Sequence, residues 1–441
     1  MAINNKEPAK YDIIIRNANI ISMSDKRPQI EELIDLAIRD GKIIAIERNI
    51  IGHAEKIIDA TDKFVIPGFI NCHSHVAMGL FRETDRGVHL REWLEDFIWP
   101  IEHKLTKADI YNLAEFGAGE MIDNGITTFN DMYFFSNEIY HATKFLGLEA
   151  LHCKGVMDIA GEKSGIANMK ESDELRASIP QYNYVYGIHG LYTSSPAYVE
   201  KAAAIIKKNN FRLHMHFCED DTEVKIIKEK HNVRHASDAL TKYFKDLKNK
   251  IILAHGVVLD EYDINLISKM KNVSIVHCPI SNGRLACGVA PVKKLIDHGV
   301  NVCLGTDGQG TGSSFSMLTL MRFALLCQRN ETKDPKCLSP YDVLKMATIN
   351  GAKALGIDNN TGSIDAGKDA DLQIYSFKSF ELFPINDSIS DIVFNASSHD
   401  IYGVISKGKI LVENYELVHV DQDMLSNKIK TVRKQFFGRK Q

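Results

Sequence analysis

The feature that most constrains the fold of this 441-residue chain is a regular alternation of short apolar runs with segments of helical composition. Eight strand-like runs cover residues 64–70, 126–132, 150–157, 184–191, 211–217, 251–258, 273–278 and 300–305. Strands that alternate with helices build parallel sheets, and eight such units are the number that closes a (β/α)8 TIM barrel. The middle of the chain therefore predicts an α/β fold of this barrel type.

Both ends of the chain have a different pattern, in which short strands are joined by tight turns. Strand-like segments cover residues 11–16, 36–39, 42–46, 371–375, 401–405 and 409–412. The N-terminal segments are joined by an Asp-Gly turn and the C-terminal segments by a Lys-Gly turn. We therefore expect residues 1–63 and 366–441 to form one discontinuous β-sandwich domain beside a barrel domain of residues 64–365.

Charge and composition exclude several classes of function. The chain has 53 Lys and Arg against 57 Asp and Glu, so its net charge of −4 offers no basic field for nucleic acid. No apolar run is long enough to span a membrane, and the first eleven residues lack the apolar core of a signal peptide. The eight cysteines include no Cys-x-x-Cys pair, as expected of reduced thiols. We expect a cytoplasmic protein that binds neither nucleic acid nor membranes.

Side chains of metal-binding type follow the predicted strands at the points where the strands end. In a barrel these ends form one rim, which carries the working residues. The first strand runs into Asn-Cys-His-Ser-His, and strand alternation points His73 and His75 to the same side. Three later strands end in residues of the same kind, namely His216 with Glu219, His255, and Asp307. The sequence therefore brings several potential ligands to one rim.

A lone histidine in a strand is usually a packed core residue, but this group as a whole is not explained by packing. Burying five or six such polar groups at neighbouring strand ends without an ion would be costly. Three histidines and one aspartate suit a divalent ion such as zinc, with iron and manganese as alternatives. An ion with one position open for water supplies hydroxide near neutral pH. The pattern predicts a metal-dependent hydrolase.

Seven stretches of the chain form a longer set of motifs, at residues 67–75, 128–134, 216–219, 277–282, 305–308, 347–356 and 362–371. Together they resemble the amidohydrolase superfamily, and within it the methylthioadenosine/S-adenosylhomocysteine deaminase-like branch related to the triazine hydrolases. The resemblance covers nearly the whole chain. It implies hydrolytic deamination of an amino-substituted heteroaromatic ring, with an adenine nucleoside as the leading substrate.

The resemblance also implies a role for each residue at the rim. The metal ligands would be His73, His75, His216 and Asp307. Glu219 would shuttle a proton to a ring nitrogen, His255 would hold the hydrolytic water, and Asp307 would also accept that water's proton. Binuclear relatives keep a carboxylated lysine at the end of the fourth strand, and this chain has no lysine there. One divalent ion is therefore expected.

The positions that would contact the substrate match the family pattern less evenly. Trp93 and Glu102 resemble the segment that reaches the ribose hydroxyls, and His189 resembles the histidine that contacts the ring. A carboxylate is well suited to accept hydrogen bonds from two hydroxyls. Lys154 stands where relatives that use adenosylhomocysteine tend to have an arginine, and lysine lacks the bidentate fork of arginine. The exact nucleoside therefore stays open.

Other functions fit the same set of motifs. A deaminase of a free purine, pterin or pyrimidine base, or a hydrolase of triazine C–N or C–Cl bonds, would use the same metal centre. Glu102 favours a substrate that has sugar hydroxyls. A non-catalytic barrel protein would usually have lost metal ligands, whereas every ligand and Glu219 are present here. We expect a small-molecule substrate and, because the architecture commonly assembles, a homo-oligomer.

Overall fold

The computed structural model describes residues 9–84, 87–418 and 420–438, so parts of the predicted terminal domain, residues 1–8 and 439–441, lie outside it. The strands are β1 Lys10–Ile21, β2 Ile30–Arg39, β3 Lys42–Glu47, β4 His53–Asp59, β5 Lys63–Pro67, β6 Phe69–His75, β7 Ile126–Met132, β8 Glu149–Cys153, β9 Gly155–Val156, β10 Tyr186–Gly190, β11 Leu213–Phe217, β12 Ile251–His255, β13 Val273–His277, β14 Asn301–Leu304, β15 Asp307–Gly308, β16 Leu372–Ser376, β17 Ile401–Ser406, β18 Lys409–Glu413 and β19 Glu416–Leu417. The helices are α1 Leu90–Glu92, α2 Trp99–Glu102, α3 Lys107–Asp123, α4 Ser136–Phe145, α5 Glu162–Ser178, α6 Pro196–Asn209, α7 Asp221–His231, α8 Ala236–Phe244, α9 Glu261–Ser268, α10 Pro279–Arg284, α11 Val292–Asp297, α12 Gln309–Gly312, α13 Met317–Thr332, α14 Pro340–Met346, α15 Ile349–Leu355, α16 Ser388–Phe394 and α17 Gln422–Phe437.

The middle of the chain forms strands that all run parallel to their hydrogen-bonded neighbours. One sheet has the order β14-β13-β12-β11-β10-β9, and a second has the order β15-β6-β7-β8. A parallel bridge between His152 and Tyr184 joins the second sheet to the segment before β10. On the other side, the backbone N–H of Thr306 donates to Asn71 Oδ1 over 3.0 Å, next to β6. The prediction of an α/β fold is confirmed.

The two ends of the chain contribute to one further sheet, which is mixed. Its strand order is β19-β18-β17-β16-β5-β1-β2-β3, and β4 pairs with β1. The N- and C-terminal segments meet where β16 runs antiparallel to β5, with Leu372 opposite Pro67 and Ser376 opposite Lys63. This sheet leads directly into the first strand of the parallel region, because a single residue, Gly68, separates β5 from β6.

Local sequence explains where α3, a helix of 17 residues, begins and ends. Thr106 caps α3, since its hydroxyl accepts the Asp109 N–H while the Asp109 carboxylate accepts the Thr106 N–H over 2.9 Å. Gly125 follows the helix with a φ of +76°, in the left-handed region that favours glycine. Both signals can be read from the sequence, where Thr106 as N-cap and Gly125 as stop predict a helix between them, and the structure confirms that helix.

The first predicted strand, residues 64–70, is divided at Gly68, so that residues 64–67 belong to β5 of the mixed sheet and β6 begins at Phe69. Two further predicted strands are interrupted. The third run, residues 150–157, is interrupted at Lys154 and forms β8 and β9. The eighth run ends at Leu304, and the chain pairs again at Asp307 and Gly308, where β15 lies beside β6. Both interruptions leave a polar side chain at the carboxyl end of a strand, where it can face a site instead of a neighbouring strand.

The described helices include none that is both long enough and apolar enough to cross a lipid bilayer. The apolar faces of the helices are instead used inside the protein, in a core cluster that runs through the parallel region from Phe69 to Val302. This burial leaves the carboxyl ends of the strands as the place where polar side chains gather.

Gly125 also lies where the parallel region meets the mixed sheet. A Cβ atom there would lie 1.8 Å from Oε1 of Gln373, whose amide donates to Pro67 O over 3.1 Å. We expect Gly125→Ala to lose about 2–4 kcal/mol of stability, because it combines backbone strain with overpacking. Gly161→Ala is the matched control, since its φ is +96° but no atom lies within 4 Å. It should lose about 1 kcal/mol, and equal shifts of the two urea midpoints would contradict a role for the Gln373 contact.

Candidate metal centre and substrate pocket

Three histidine side chains meet at the carboxyl ends of β6 and β11. His73 and His75 alternate along β6, and His216 lies on β11. One ring nitrogen of each lies within 4.8 Å of the other two, and the Nε2 atoms of His75 and His216 are 3.4 Å apart. These distances allow one small ion to contact all three nitrogens.

Hydrogen bonds fix which nitrogen carries the proton in two of these rings. His75 Nδ1 donates to the carbonyl oxygen of Met132 over 2.5 Å, and His216 Nδ1 donates to the carbonyl oxygen of His189 over 2.6 Å. A carbonyl oxygen can only accept, so the proton must lie on Nδ1. In the neutral form, which binds metal, the lone pair of each ring therefore lies on Nε2, which faces the meeting point.

The third ring is fixed through another histidine. His214 Nδ1 contacts the carbonyl oxygen of Ile252 over 3.0 Å, which places the His214 proton on Nδ1. His214 Nε2 then accepts from His73 Nδ1 over 2.9 Å. The Nε2 atom of His73 is left with a lone pair, and it is buried without a hydrogen-bond partner among the described residues.

Asp307 completes the cluster from β15. Its Oδ1 lies 3.2 Å from His75 Nε2 and 3.5 Å from His73 Nε2. The Ser281 hydroxyl donates to Oδ2 over 2.6 Å, which fixes the carboxylate plane. Asp307 has a φ of +63°, an unusual conformation for a residue other than glycine. Strain of this kind persists where surrounding contacts hold it, and it is concentrated at functional sites.

The electrostatics of the cluster favour a positive charge at its centre. Burial lowers the pKa of His73 to about 4 and holds the pKa of His216 well below its usual value. Burial also opposes the charged form of His75, but the nearby Asp307 carboxylate raises the pKa of His75 to about 9. Burial would raise the pKa of Asp307, yet its interactions with the neighbouring His73 and His75 rings hold it well below its usual value. The carboxylate therefore stabilises a cation beside these rings.

His255 and Glu219 lie next to this cluster. His255 ends β12 with a φ of +77°, and its Nδ1 donates to Asn282 Oδ1 over 2.9 Å. Its Nε2 lies 3.5 Å from a carboxylate oxygen of Glu219. Burial and the neighbouring carboxylates raise the pKa of Glu219 well above its usual value. The backbone N–H of Glu219 donates to Glu223 over 2.7 Å, which helps to fix this turn.

The cluster fits a divalent metal ion on its own geometry. Three neutral imidazole nitrogens and one carboxylate oxygen are the donor set that zinc prefers, with room for a water. The Nε2 atoms of His73 and His255 are buried and have no hydrogen-bond partner among the described residues. Unpaired polar atoms in a buried position are costly unless an ion or water contacts them. A bound ion or water, which the chain itself does not provide, would give these two nitrogen atoms their missing partners.

A cavity of about 570 Å³ opens from the cluster, a volume in the range of small-molecule sites. The four residues assigned to substrate contact from the sequence all line it, namely Trp93, Glu102, Lys154 and His189. Glu102 accepts a hydrogen bond from the Tyr133 hydroxyl over 2.5 Å. Burial raises the pKa of Glu102 to about 6, although the Tyr133 hydrogen bond opposes this shift. Glu102 is thus a partly buried acceptor on the cavity wall.

The other three lining residues differ in how far they are already satisfied. The indole Nε1 of Trp93 is buried and has no partner among the described residues. His189 Nδ1 contacts the Thr193 hydroxyl over 3.2 Å, and burial lowers the pKa of His189 to about 3. Lys154 is already paired, because its Nζ lies 2.9 Å from Glu171. Trp93 and His189 therefore offer polar groups to a ligand, whereas the charge of Lys154 is balanced within the protein.

Sequence reasoning did not assign the residues that support the site. These are His214 behind His73, Ser281 on Asp307, Asn282 on His255, Tyr133 on Glu102, and Glu171 on Lys154. His214 forms a second His-x-His pair on its strand, and two others lie in the motif at residues 277–282. These sequence patterns could have identified His214, Ser281 and Asn282 as residues that support the site. The pairing of Glu171 had no sequence signal, because α5 contributes it from 17 positions away.

Comparisons with known proteins identify related sequences and structures. The model of the amidohydrolase family matches residues 64–411. A 5-methylthioadenosine/S-adenosylhomocysteine deaminase of Pyrococcus abyssi is 35% identical over 403 residues, which cover 90% of this chain and 94% of that protein. A 5'-deoxyadenosine deaminase of Methanosarcina acetivorans is 34% identical, with 97% and 99% covered. The crystal structure of an adenosine deaminase from Xanthomonas campestris with bound zinc has a TM-score of 0.89 and 26% identity, with 97% and 99% covered.

The convergence of four ligand atoms predicts how the protein holds metal. After loading with zinc and removal of free ions, elemental analysis should find about one ion per chain. His216→Ala should weaken zinc binding by at least about a hundredfold, because it removes a direct ligand. His298→Ala is the matched control, since His298 pairs with Glu261 on the surface and should retain the ion. Two ions per wild-type chain, or undiminished binding by His216→Ala, would contradict the ligand assignment.

Proposed function

The chain belongs to the amidohydrolase family, and from this premise we propose that its substrate is an adenine nucleoside modified at the 5′ carbon. The protein is a hydrolytic deaminase that depends on a divalent metal ion. We further propose that the ion is a single zinc, held by His73, His75, His216 and Asp307. The proposed reaction replaces the exocyclic amino group of the adenine ring with oxygen and releases ammonia.

The observation that carries the nucleoside proposal is the position of Glu102. This partly buried carboxylate lies on the wall of the same cavity that ends at the histidine cluster. A carboxylate can accept hydrogen bonds from the 2′ and 3′ hydroxyls together. A free base would leave Glu102 without a partner from the substrate and would fill little of a cavity of about 570 Å³. The named activities of the relatives support the same substrate class.

Each residue at the cluster has a proposed part in the reaction. When bound, the ion supplies a hydroxide nucleophile near neutral pH by lowering the pKa of water. His255 orients the attacking water through its free Nε2, and Asp307 accepts the proton of that water. Glu219 carries a proton to a ring nitrogen, which makes the ring carbon a better electrophile. His189 and Trp93 contact the nucleoside, and the apolar stem of Lys154 lies along its far side.

We also propose a domain arrangement that agrees with these roles. The two parallel sheets would form one eight-stranded barrel within residues 64–365, and residues 1–63 and 366–441 would form the second domain. The bridge between His152 and Tyr184 and the contact between Thr306 and Asn71 support continuity between the two sheets. The proposed active site then lies at the carboxyl ends of the barrel strands, as is usual for this architecture.

The first prediction from this proposal concerns Glu219. Glu219→Gln should keep the metal but lower kcat by roughly two to four orders of magnitude, because a positioned acid–base group contributes about that much. The amide has nearly the same shape but cannot carry the proton. Initial rates of ammonia release, normalised to metal content, measure the effect. A kcat near that of the wild type would remove Glu219 from the proton transfer.

The second prediction tests the contact between Glu102 and the ribose. Glu102→Leu should lower kcat/KM for nucleosides by about thirtyfold to a thousandfold, since two hydrogen bonds to a charged acceptor are lost, about 2–4 kcal/mol. A 2′,3′-dideoxy nucleoside should be a poor substrate of the wild type. The variant should hardly distinguish it from the parent nucleoside, because both changes remove one interaction.

Glu95→Leu provides the control for Glu102→Leu. Glu95 is a half-exposed carboxylate in the same helical region, pairs with Arg91, and does not line the cavity. Its replacement should leave nucleoside turnover unchanged. If the wild type used dideoxy and parent nucleosides equally well, or preferred a free base, the ribose contact would be refuted and a base deaminase favoured.

A further inference from the structure

One wall of the cavity is formed by α5 and by the segment before it. Ser164, Ala167, Asn168 and Glu171 line the cavity from α5, at spacings of three or four residues that place them on one helix face. Asn168 holds the helix to the preceding segment, because its Nδ2 donates to the carbonyl oxygen of Met157 over 3.0 Å. This α5 wall belongs to the cavity but contributes nothing to the histidine cluster.

The α5 wall lies where the 5′ substituent of a bound nucleoside must go. In the proposed binding mode the base reaches the histidine cluster and the ribose hydroxyls reach Glu102. Lys154 lies beside the α5 wall, because it pairs with Glu171 of that wall. It is also close enough to Glu102 and His189 to lower the pKa values of both. The atoms attached to the 5′ carbon are the part of the nucleoside that remains, and the α5 wall is one part of the cavity that contains neither the histidine cluster nor Glu102.

An ion pair dominates the electrostatics of this wall. Lys154 Nζ lies 2.9 Å from Glu171 Oε2, and the Lys154 side chain is 13% exposed whereas that of Glu171 is 46% exposed. The same Nζ lies 5.8 Å from the ring centre of Phe134, so the ammonium has an aromatic face as a second neighbour. The positive charge is therefore balanced before any ligand enters.

The described residues that line the cavity include no unpaired lysine or arginine that could bind a carboxylate on the 5′ substituent. Among the described lining residues, Lys154 is the sole lysine or arginine. Four carboxylates line the same cavity, namely Glu102, Glu171, Glu219 and Asp307. A carboxylate on the substituent would have to displace Glu171 from Lys154 or remain without a cationic partner. Both outcomes cost free energy. Nearby apolar residues, such as Met157 and Ile159, suit an uncharged group instead.

We propose that the Lys154–Glu171 ion pair makes this deaminase selective for nucleosides whose 5′ substituent is uncharged, such as a methyl or thioether group, over those that carry an amino-acid carboxylate. This inference rests on the proposed function and assigns Glu171 as a specificity-determining residue. Glu171 acts by occupying the ammonium of Lys154, so its removal should release a cation for the carboxylate of an amino-acid substituent.

The test compares kcat/KM for methylthioadenosine, 5′-deoxyadenosine and adenosylhomocysteine with the zinc-loaded full-length protein. The wild type should prefer both uncharged nucleosides to adenosylhomocysteine by at least about tenfold. Glu171→Gln should raise the ratio of adenosylhomocysteine to methylthioadenosine by about tenfold, the worth of one charge-assisted contact at a partly exposed site. Adding Lys154→Met to Glu171→Gln should abolish that gain, because the released cation is then absent.

Glu174→Gln is the matched control on the same helix. Glu174 pairs with Lys170 on the surface, outside the cavity, so its replacement should leave the substrate ratio unchanged. A wild type that used adenosylhomocysteine as well as methylthioadenosine would overturn the inference. So would an unchanged or lowered ratio in Glu171→Gln, since a lowered ratio means that the ion pair itself binds the zwitterion. Failure of the proposed function is distinguishable, because no adenine nucleoside would then be deaminated by the wild type or any variant.

Discussion

The fixed protonation of three buried histidines is the constraint on which this site depends. Each ring gives its Nδ1 proton to an acceptor that the fold holds in place, two of them backbone carbonyls and one His214. Three Nε2 lone pairs are thereby aimed at one another and at Asp307. Such an arrangement is repulsive and poorly solvated when nothing lies between the atoms. By holding the rings in this arrangement, the strands favour the binding of a cation as well as forming the fold.

Two residues of the site have strained backbone conformations that neighbouring contacts support. His255 and Asp307 both have a positive φ, and each ends or follows a parallel strand. Asn282 fixes the His255 ring, while Ser281 fixes the Asp307 carboxylate, so one short helix after β13 supports both residues. Strain of about 1–3 kcal/mol per residue persists only where neighbouring contacts determine the conformation. The helix that starts at Pro279 is thus part of the site, although none of its side chains is assigned to metal or substrate.

Features that depend on local sequence could be predicted, and features that depend on packing could not. Strand positions followed from short apolar runs, and the start of α3 followed from Thr106. The gathering of polar residues at strand ends followed from the parallel arrangement of the strands. By contrast, the hydrogen bond between His73 and His214 joins residues 141 positions apart. The contact of Tyr133 with Glu102 and the break in the third strand at Lys154 likewise depend on which surfaces the fold brings together.

Two carboxylates that line the cavity are balanced in different ways, and this difference relates chemistry to selectivity. Asp307 is buried and faces imidazole lone pairs, so its charge is best balanced by a bound cation. Glu171 is partly exposed and faces the ammonium of Lys154, so its charge is balanced by the chain itself. A ligand therefore meets an electrophilic centre at one part of the cavity and a neutral wall at another. Because the two balances involve separate elements, β15 and α5, a change of one carboxylate on α5 can alter the choice of nucleoside without altering the reacting centre.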